Sequence, residues 1–265
     1  MNEKLNKLWD TIKDGKKETK VGIQAVALFI CILLSVHLGD TAIAVNSTYG
    51  DKELPIYSVK TDEKKISISF DAAWGAEDFN QIMEILDKHN VKTTFFMTGE
   101  WVENYPECVK ILVDKGHDLG NHSATHPDMT TLSKEAQKEQ ILKVHNAVKE
   151  LTGYEMELFR PPYGAYNNEV IRTCYENGYY PIQWDVDSLD WKDYEPARII
   201  SNVCNHKSLD NGSIILCHNG AKYTADALDE MLTNLENQGY TIVPISELII
   251  REDFHMDVTG QQIAD

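Results

Sequence analysis

Arginine is scarce in this chain: Arg160, Arg172, Arg198 and Arg251 are the only four in 265 residues. Positive charge is short altogether, with 25 basic against 42 acidic residues, a formal net charge of −17 and a pI near 4.9. A surface of that sign repels phosphate backbones, which excludes a nucleic-acid partner. The five cysteines, Cys31, Cys108, Cys174, Cys204 and Cys217, show neither close pairing nor C-x-x-C spacing, so no disulfide framework is indicated. Cys217 sits in an apolar run and reads as a small buried hydrophobe. No internal repeat is visible.

One apolar run does stand out. VGIQAVALFICILLSVHL, Val21 to Leu38, contains no Asp, Glu, Lys or Arg. As a helix it is roughly 27 Å long, enough to cross the hydrocarbon core of a bilayer. Lys13, Lys16, Lys17 and Lys20 precede it and Asp40 follows, so the positive-inside rule puts the N-terminus in the cytoplasm and the remainder outside. The small-x-small pattern AIA at Ala42 to Ala44 offers the alternative of a secreted protein cleaved near Ala44. The domain organisation expected is a cytoplasmic basic segment over 1–20, a transmembrane anchor over 21–38, an extracytoplasmic linker over 39–65, one catalytic domain over 66–250 and a polar tail over 251–265.

Within the main segment, β-branched or aromatic runs alternate with helical patterns. KISISF, TTFFM, HDLGNH, ELFRPP, YPIQWDV, SIILCH and TIVPI read as strand regions, and the stretches between them carry helical apolar spacing. So many βα units in one domain, with 42 % hydrophobic residues to form one core, predict an α/β fold: a single (β/α) barrel whose site lies at the C-terminal strand ends. The chemically useful residues fall at those ends. Asp71 closes KISISF, His122 and His126 follow HDLGN, Arg160 closes ELF, Asp185 and Asp187 follow PIQW, and His218 closes SIILC. Each alone has a plainer reading: the histidines as a surface pair, Asp187 and Asp190 as helix caps, Arg160 as a surface cation. Those plainer readings do not account for their convergence on one rim.

SFDAAWG, HSATH, RPPYG, WDVDSLDW and ILCH, taken in order, resemble the five motifs of the polysaccharide deacetylases, the NodB-homology family or carbohydrate esterase family four. The likeness runs from about Lys65 to Leu248 and is greatest with the membrane-anchored, sporulation-type bacterial deacetylases. It implies a distorted barrel of about seven strands and metal-assisted removal of N-acetyl groups from aminosugar polymers, with peptidoglycan the accessible substrate outside a bacterial membrane. It further implies Asp71 as base, Arg160 orienting it, His218 as general acid, and His122 and His126 as ligands of a divalent metal, zinc first. Asp187 is expected to hold His218. A backbone N–H near Tyr163 is expected to meet the oxyanion, and Trp191 and Leu216 to wall the acetyl pocket.

The first motif departs from the family pattern. Ala72 stands where a second carboxylate normally completes the metal site. Asp78 is the expected substitute ligand; alternatively the His pair holds the metal with water, with or without Asp71. A catalytically impaired glycan-binding barrel and a metal-dependent O-acetyl esterase are the competing functions.

Overall fold

The structure, a computed structural model, describes residues 48–49 and 51–265. Eight strands build the central parallel sheet: β1 (Lys65–Ala72), β2 (Thr94–Met97), β3 (Asp118–Asn121), β4 (Leu158–Phe159), β5 (Tyr180–Pro181), β6 (Val186–Asp187), β7 (Ile214–His218) and β8 (Thr241–Ile242). Their order is β5-β4-β3-β2-β1-β7-β6, with β8 beside the start of β1. The first seven form a curled parallel half-barrel. Among the described residues the α-helices are α1 (Phe79–Lys88), α2 (Gly99–Asn104), α3 (Pro106–Asp114), α4 (Lys134–Thr152), α5 (Asn168–Glu176), α6 (Pro196–Cys204), α7 (Thr224–Asn237) and α8 (Ile245–Leu248).

The period-two alternation of β1 divides the core. Ile66, Ile68, Phe70 and Ala72 join the apolar cluster that contains the helix residues Phe79, Ile82 and Leu86. Ser67 and Ser69 point the other way and donate to the carbonyls of Val243 and Ile215. That inner face is filled by a second cluster including Ile56, Phe96, Ile182 and Ile214. Helix spacing matches the outer layer: α1 buries Phe79, Ile82, Met83 and Leu86, one stripe at i, i+3, i+4 and i+7. Helix α4 begins on Ser133, whose side chain accepts from the Ala136 N–H, and ends on Gly153 in the left-handed conformation.

YPIQWDV does not form one strand. Its halves, β5 and β6, occupy opposite edges of the sheet. Pro181 has no N–H to extend a ladder. The Ile56 segment takes the gap: Ile56 N–H donates to Pro181 O at 2.8 Å, and Gln183 N–H to Ile56 O at 2.7 Å. Residues 54–59 are therefore part of the barrel rather than a linker. The expected polar tail is also structured. Phe254–Met256 and Gln261–Ala264 form an antiparallel pair, and the second strand runs parallel to Ser58–Val59. Polar spacing concealed it because only Phe254, Met256 and Gln262 turn fully inward there. Among the described residues no helix is long and apolar enough to cross a membrane, and the run 21–38 lies outside them.

Candidate active site

Strand register assembles the rim. Asp71 on β1 is the direct partner of His218 on β7 and of Phe96 on β2. One residue further along, Ala72, Met97, Asn121 and Phe159 align across four strands. The residues that leave β3 and β4, His122 and Arg160, are anchored by N–H bonds to Met97 O and Asn121 O, each 2.9 Å. Parallel strands ending level thus deliver side chains from distant sequence to one cavity of about 490 Å³. Asp71, His122, His126, Tyr163, Asp187, Trp191, Leu216 and His218 all line it.

Arg160 lies behind Asp71, wholly buried. Its Nη1 donates to Asp71 Oδ1 at 2.7 Å and its Nη2 to Gln183 O at 3.2 Å, while the guanidinium lies 4.1 Å from the centre of the Phe96 ring. Burial pushes the Asp71 carboxyl upward, but the Arg160 charge and the nearby imidazoles outweigh it and hold it below its usual range. Asp71 is therefore ionised at neutral pH, with Oδ2 left free of the arginine and 3.5 Å from His122 Nε2.

The two histidines meet at their Nε2 atoms, 3.1 Å apart. His122 Nδ1 is 2.7 Å from the carbonyl of Arg160, which selects the tautomer with a free lone pair on Nε2. Burial lowers the His122 imidazole to about 4 and lowers His126 as well. Both are neutral at pH 7, the state that ligates a cation. Among the described residues no group of three or more His, Cys, Asp or Glu is arranged as a complete metal site. The two convergent imidazoles nevertheless fit a nitrogen-preferring divalent cation such as zinc, with its other positions open.

Asp78 does not join them. Its Oδ1 accepts from the Gly220 N–H at 2.8 Å, beside the turn that follows His218, and it is not part of the cavity wall. Ala72 faces the helices within the outer apolar cluster, the side opposite Asp71. Zinc titration should separate these roles: His122→Ala is expected to weaken binding at least tenfold, about 1.4 kcal/mol, and Asp78→Ala to leave it unchanged. Loss of zinc in Asp78→Ala would restore Asp78 as a ligand.

His218 is held by Asp190, not by Asp187. Asp190 Oδ1 lies 2.8 Å from His218 Nδ1 and accepts from the Trp191 N–H at 2.8 Å. Its Oδ2 accepts from the His218 N–H at 2.7 Å and from Thr224 Oγ1 at 2.6 Å. Asp187 instead accepts from the Leu189 N–H, closing a turn in which Leu189 is left-handed at φ 55°. That turn decides which of the two acids in DSLD faces the imidazole. Burial disfavours the charged imidazole, but the Asp190 hydrogen bond and the Asp190, Asp71 and Asp187 charges prevail, and the His218 pKa is raised.

Sequence reading missed Gln183, whose carbonyl receives Arg160 and whose Nε2 donates to Gly164 O, and Trp184 in the cavity wall. Trp74, which the sequence offers either as a core residue or as an exposed surface for stacking on a sugar, is half-exposed and lines the same cavity. Tyr163 is 73 % exposed, with φ 60° and its ring edge-on to His126 at 4.6 Å. Ser123, His126 and Leu189 share the left-handed conformation, so unfavourable backbone geometry concentrates on this rim.

Comparison with known proteins bears on the same residues. Residues 58–182 match the family described as polysaccharide deacetylase. The peptidoglycan-N-acetylglucosamine deacetylase PgdA of Listeria monocytogenes is 39 % identical over 218 residues, 81 % of this chain and 46 % of that protein. The peptidoglycan-N-acetylmuramic acid deacetylase PdaA of Bacillus subtilis is 32 % identical over 202 residues, 76 % of this chain and 77 % of its own. A pseudoenzyme of carbohydrate esterase family four from Bacillus anthracis superposes with a TM-score of 0.71 at 36 % identity, covering 75 % of this chain and 69 % of that one. A mutant of that pseudoenzyme is described as having restored enzymatic activity. Fold, strand-end motifs and these likenesses agree: the chain belongs to the polysaccharide deacetylase family.

Proposed function

We propose that this protein is a metal-dependent N-deacetylase of the aminosugars in a cell-wall polysaccharide, with peptidoglycan as substrate class. One observation carries the reading: an ionised carboxylate, Asp71 on Arg160, and an imidazole of raised basicity, His218 on Asp190, are register partners at the mouth of one cavity. Hydrolysis of an amide needs a base for the attacking water and an acid for the departing amine, and this pair offers one of each. His122 and His126 would hold a divalent cation, which when bound supplies Lewis acidity and a more acidic water. Asp71 Oδ2 accepts a proton as the water oxygen bonds to the acetyl carbon. His218 Nε2 then gives a proton to the nitrogen as the C–N bond breaks, leaving acetate and a free amine. Trp191 and Leu216 enclose the methyl group, and the backbone at Tyr163 faces the oxyanion. The names of the Listeria and Bacillus relatives support the substrate class.

Incubation of the zinc-loaded protein with peptidoglycan fragments should release acetate. Zinc binding and glycan retention without acetate would favour the second reading, an impaired glycan-binding barrel. That reading draws on Ala72 and on the likeness to a pseudoenzyme.

The run Val21 to Leu38 anchors the chain, with its catalytic part outside the membrane. The full-length protein should sediment with membranes and be open to external protease in intact cells. Intact soluble protein beginning near Val45 would indicate cleavage instead.

A further inference from the structure

Trp74 belongs to the first motif, two residues after Ala72, and its role is not explained by the acid and base. Its indole stacks on the His218 imidazole, with ring centroids 5.1 Å apart and planes 17° from parallel. The same side chain is 49 % exposed and lines the cavity. A half-exposed tryptophan on a loop holds one orientation only if the loop is held. Here three bonds hold it: Asn219 Nδ2 and Trp101 Nε1 both donate to Gly75 O, at 2.8 and 3.2 Å, and the Gly220 N–H donates to Asp78 Oδ1 at 2.8 Å. Two of the three donors, Asn219 and Gly220, directly follow His218. At Gly220, φ is +78°, and a Cβ would lie 3.0 Å from Gly75 N and 3.2 Å from Trp74 Cβ. Only glycine permits so close an approach of the two loops without strain.

We propose that Trp74 is a positioning residue for His218, laid on the imidazole by a latch that joins residues 75–78 to the Asn219–Gly220 turn. Asp190 bonds Nδ1 in the plane of the ring and so fixes its direction, but a single in-plane bond leaves the ring free to tilt. The indole covers one face and removes that freedom. It also presents an electron-rich surface to the imidazole when it carries a proton. The latch gives Asp78 and Asn219 a purpose that metal binding does not. This inference rests on the reading of His218 as the acid of the deacetylation.

The test uses the full chain with isotopically labelled histidine and the variants Trp74→Ala and Trp74→Phe. Stacking shifts the His218 ring protons upfield in the wild type. Trp74→Ala should abolish that shift, lower kcat for acetate release from a soluble N-acetylglucosamine oligomer at least about tenfold and leave KM within about twofold; Trp74→Phe should recover most of both. Unchanged His218 resonances in Trp74→Ala would overturn the proposal, as would a rise in KM alone, which would make Trp74 a sugar platform. If the wild type releases no acetate, the functional reading fails, while the resonances still decide whether Trp74 holds His218.

Discussion

Asp71→Asn is expected to slow acetate release by at least about 10²-fold, because an amide does not take the proton of the attacking water. It should also destabilise the protein. Arg160 is wholly buried, and among the described residues Asp71 is its only carboxylate partner within salt-bridge distance. Removing one member of a buried ion pair typically costs about 3–5 kcal/mol. The Gln183 carbonyl and the Phe96 ring, already in contact with the guanidinium, place the expected loss at the lower end of that range. The double variant Asp71→Asn/Arg160→Met separates the two effects. It should regain much of the lost thermal stability and none of the activity. Near wild-type acetate release by either variant would remove Asp71 from the role of base.

Asp190→Asn has the second large effect. Both carboxylate oxygens face two donors: His218 Nδ1–H and Trp191 N–H on one, His218 N–H and Thr224 Oγ1 on the other. An amide NH₂ therefore meets donors whichever way it is turned, an unsatisfied arrangement costing about 1–3 kcal/mol. The His218 pKa should fall with the loss of the charge that sustains it, since burial alone favours the neutral imidazole. In the wild type, kcat/KM should fall on the acid side as His122 and His126, the imidazoles that would hold the cation, gain protons below the ordinary histidine range, with Asp71 following below the ordinary carboxylate range. On the alkaline side it should fall above pH 6.5, where His218 loses one. In Asp190→Asn the alkaline limb should move to lower pH and the maximum drop about 10²-fold. An alkaline limb that stays in place would mean that another group sets it.

Neither stability cost is visible from motif order. RPP marks Arg160 as a strand-end cation, but its complete burial depends on Phe96, Gln183 and Trp184, which lie up to 64 positions away or across a chain reversal. Asp187 and Asp190 are equivalent by spacing: both follow PIQW and both are acids near an indole. The left-handed Leu189 turns one into the loop and the other toward β7. Asp78 looked free to reach the metal because it begins α1 at the correct rim. The Gly220 N–H captures it first, and the Asn219–Gly220 turn is 141 residues or more further along the chain.

By itself the sequence determined the alternation of strands and helices, the excess of acidic over basic residues, and the arrival of Asp71, His122, Arg160 and His218 at strand ends. These follow from local rules, since side-chain period and turn chemistry depend on neighbours a few residues away. The tertiary structure alone decided what each end meets: which acid holds His218, that the Ile56 segment occupies the barrel seam, that Ala72 faces the helices, and that Trp74 lies on the imidazole. Those outcomes depend on register between strands and on hydrogen bonds between residues as far as 144 positions apart, and no local pattern encodes such pairings.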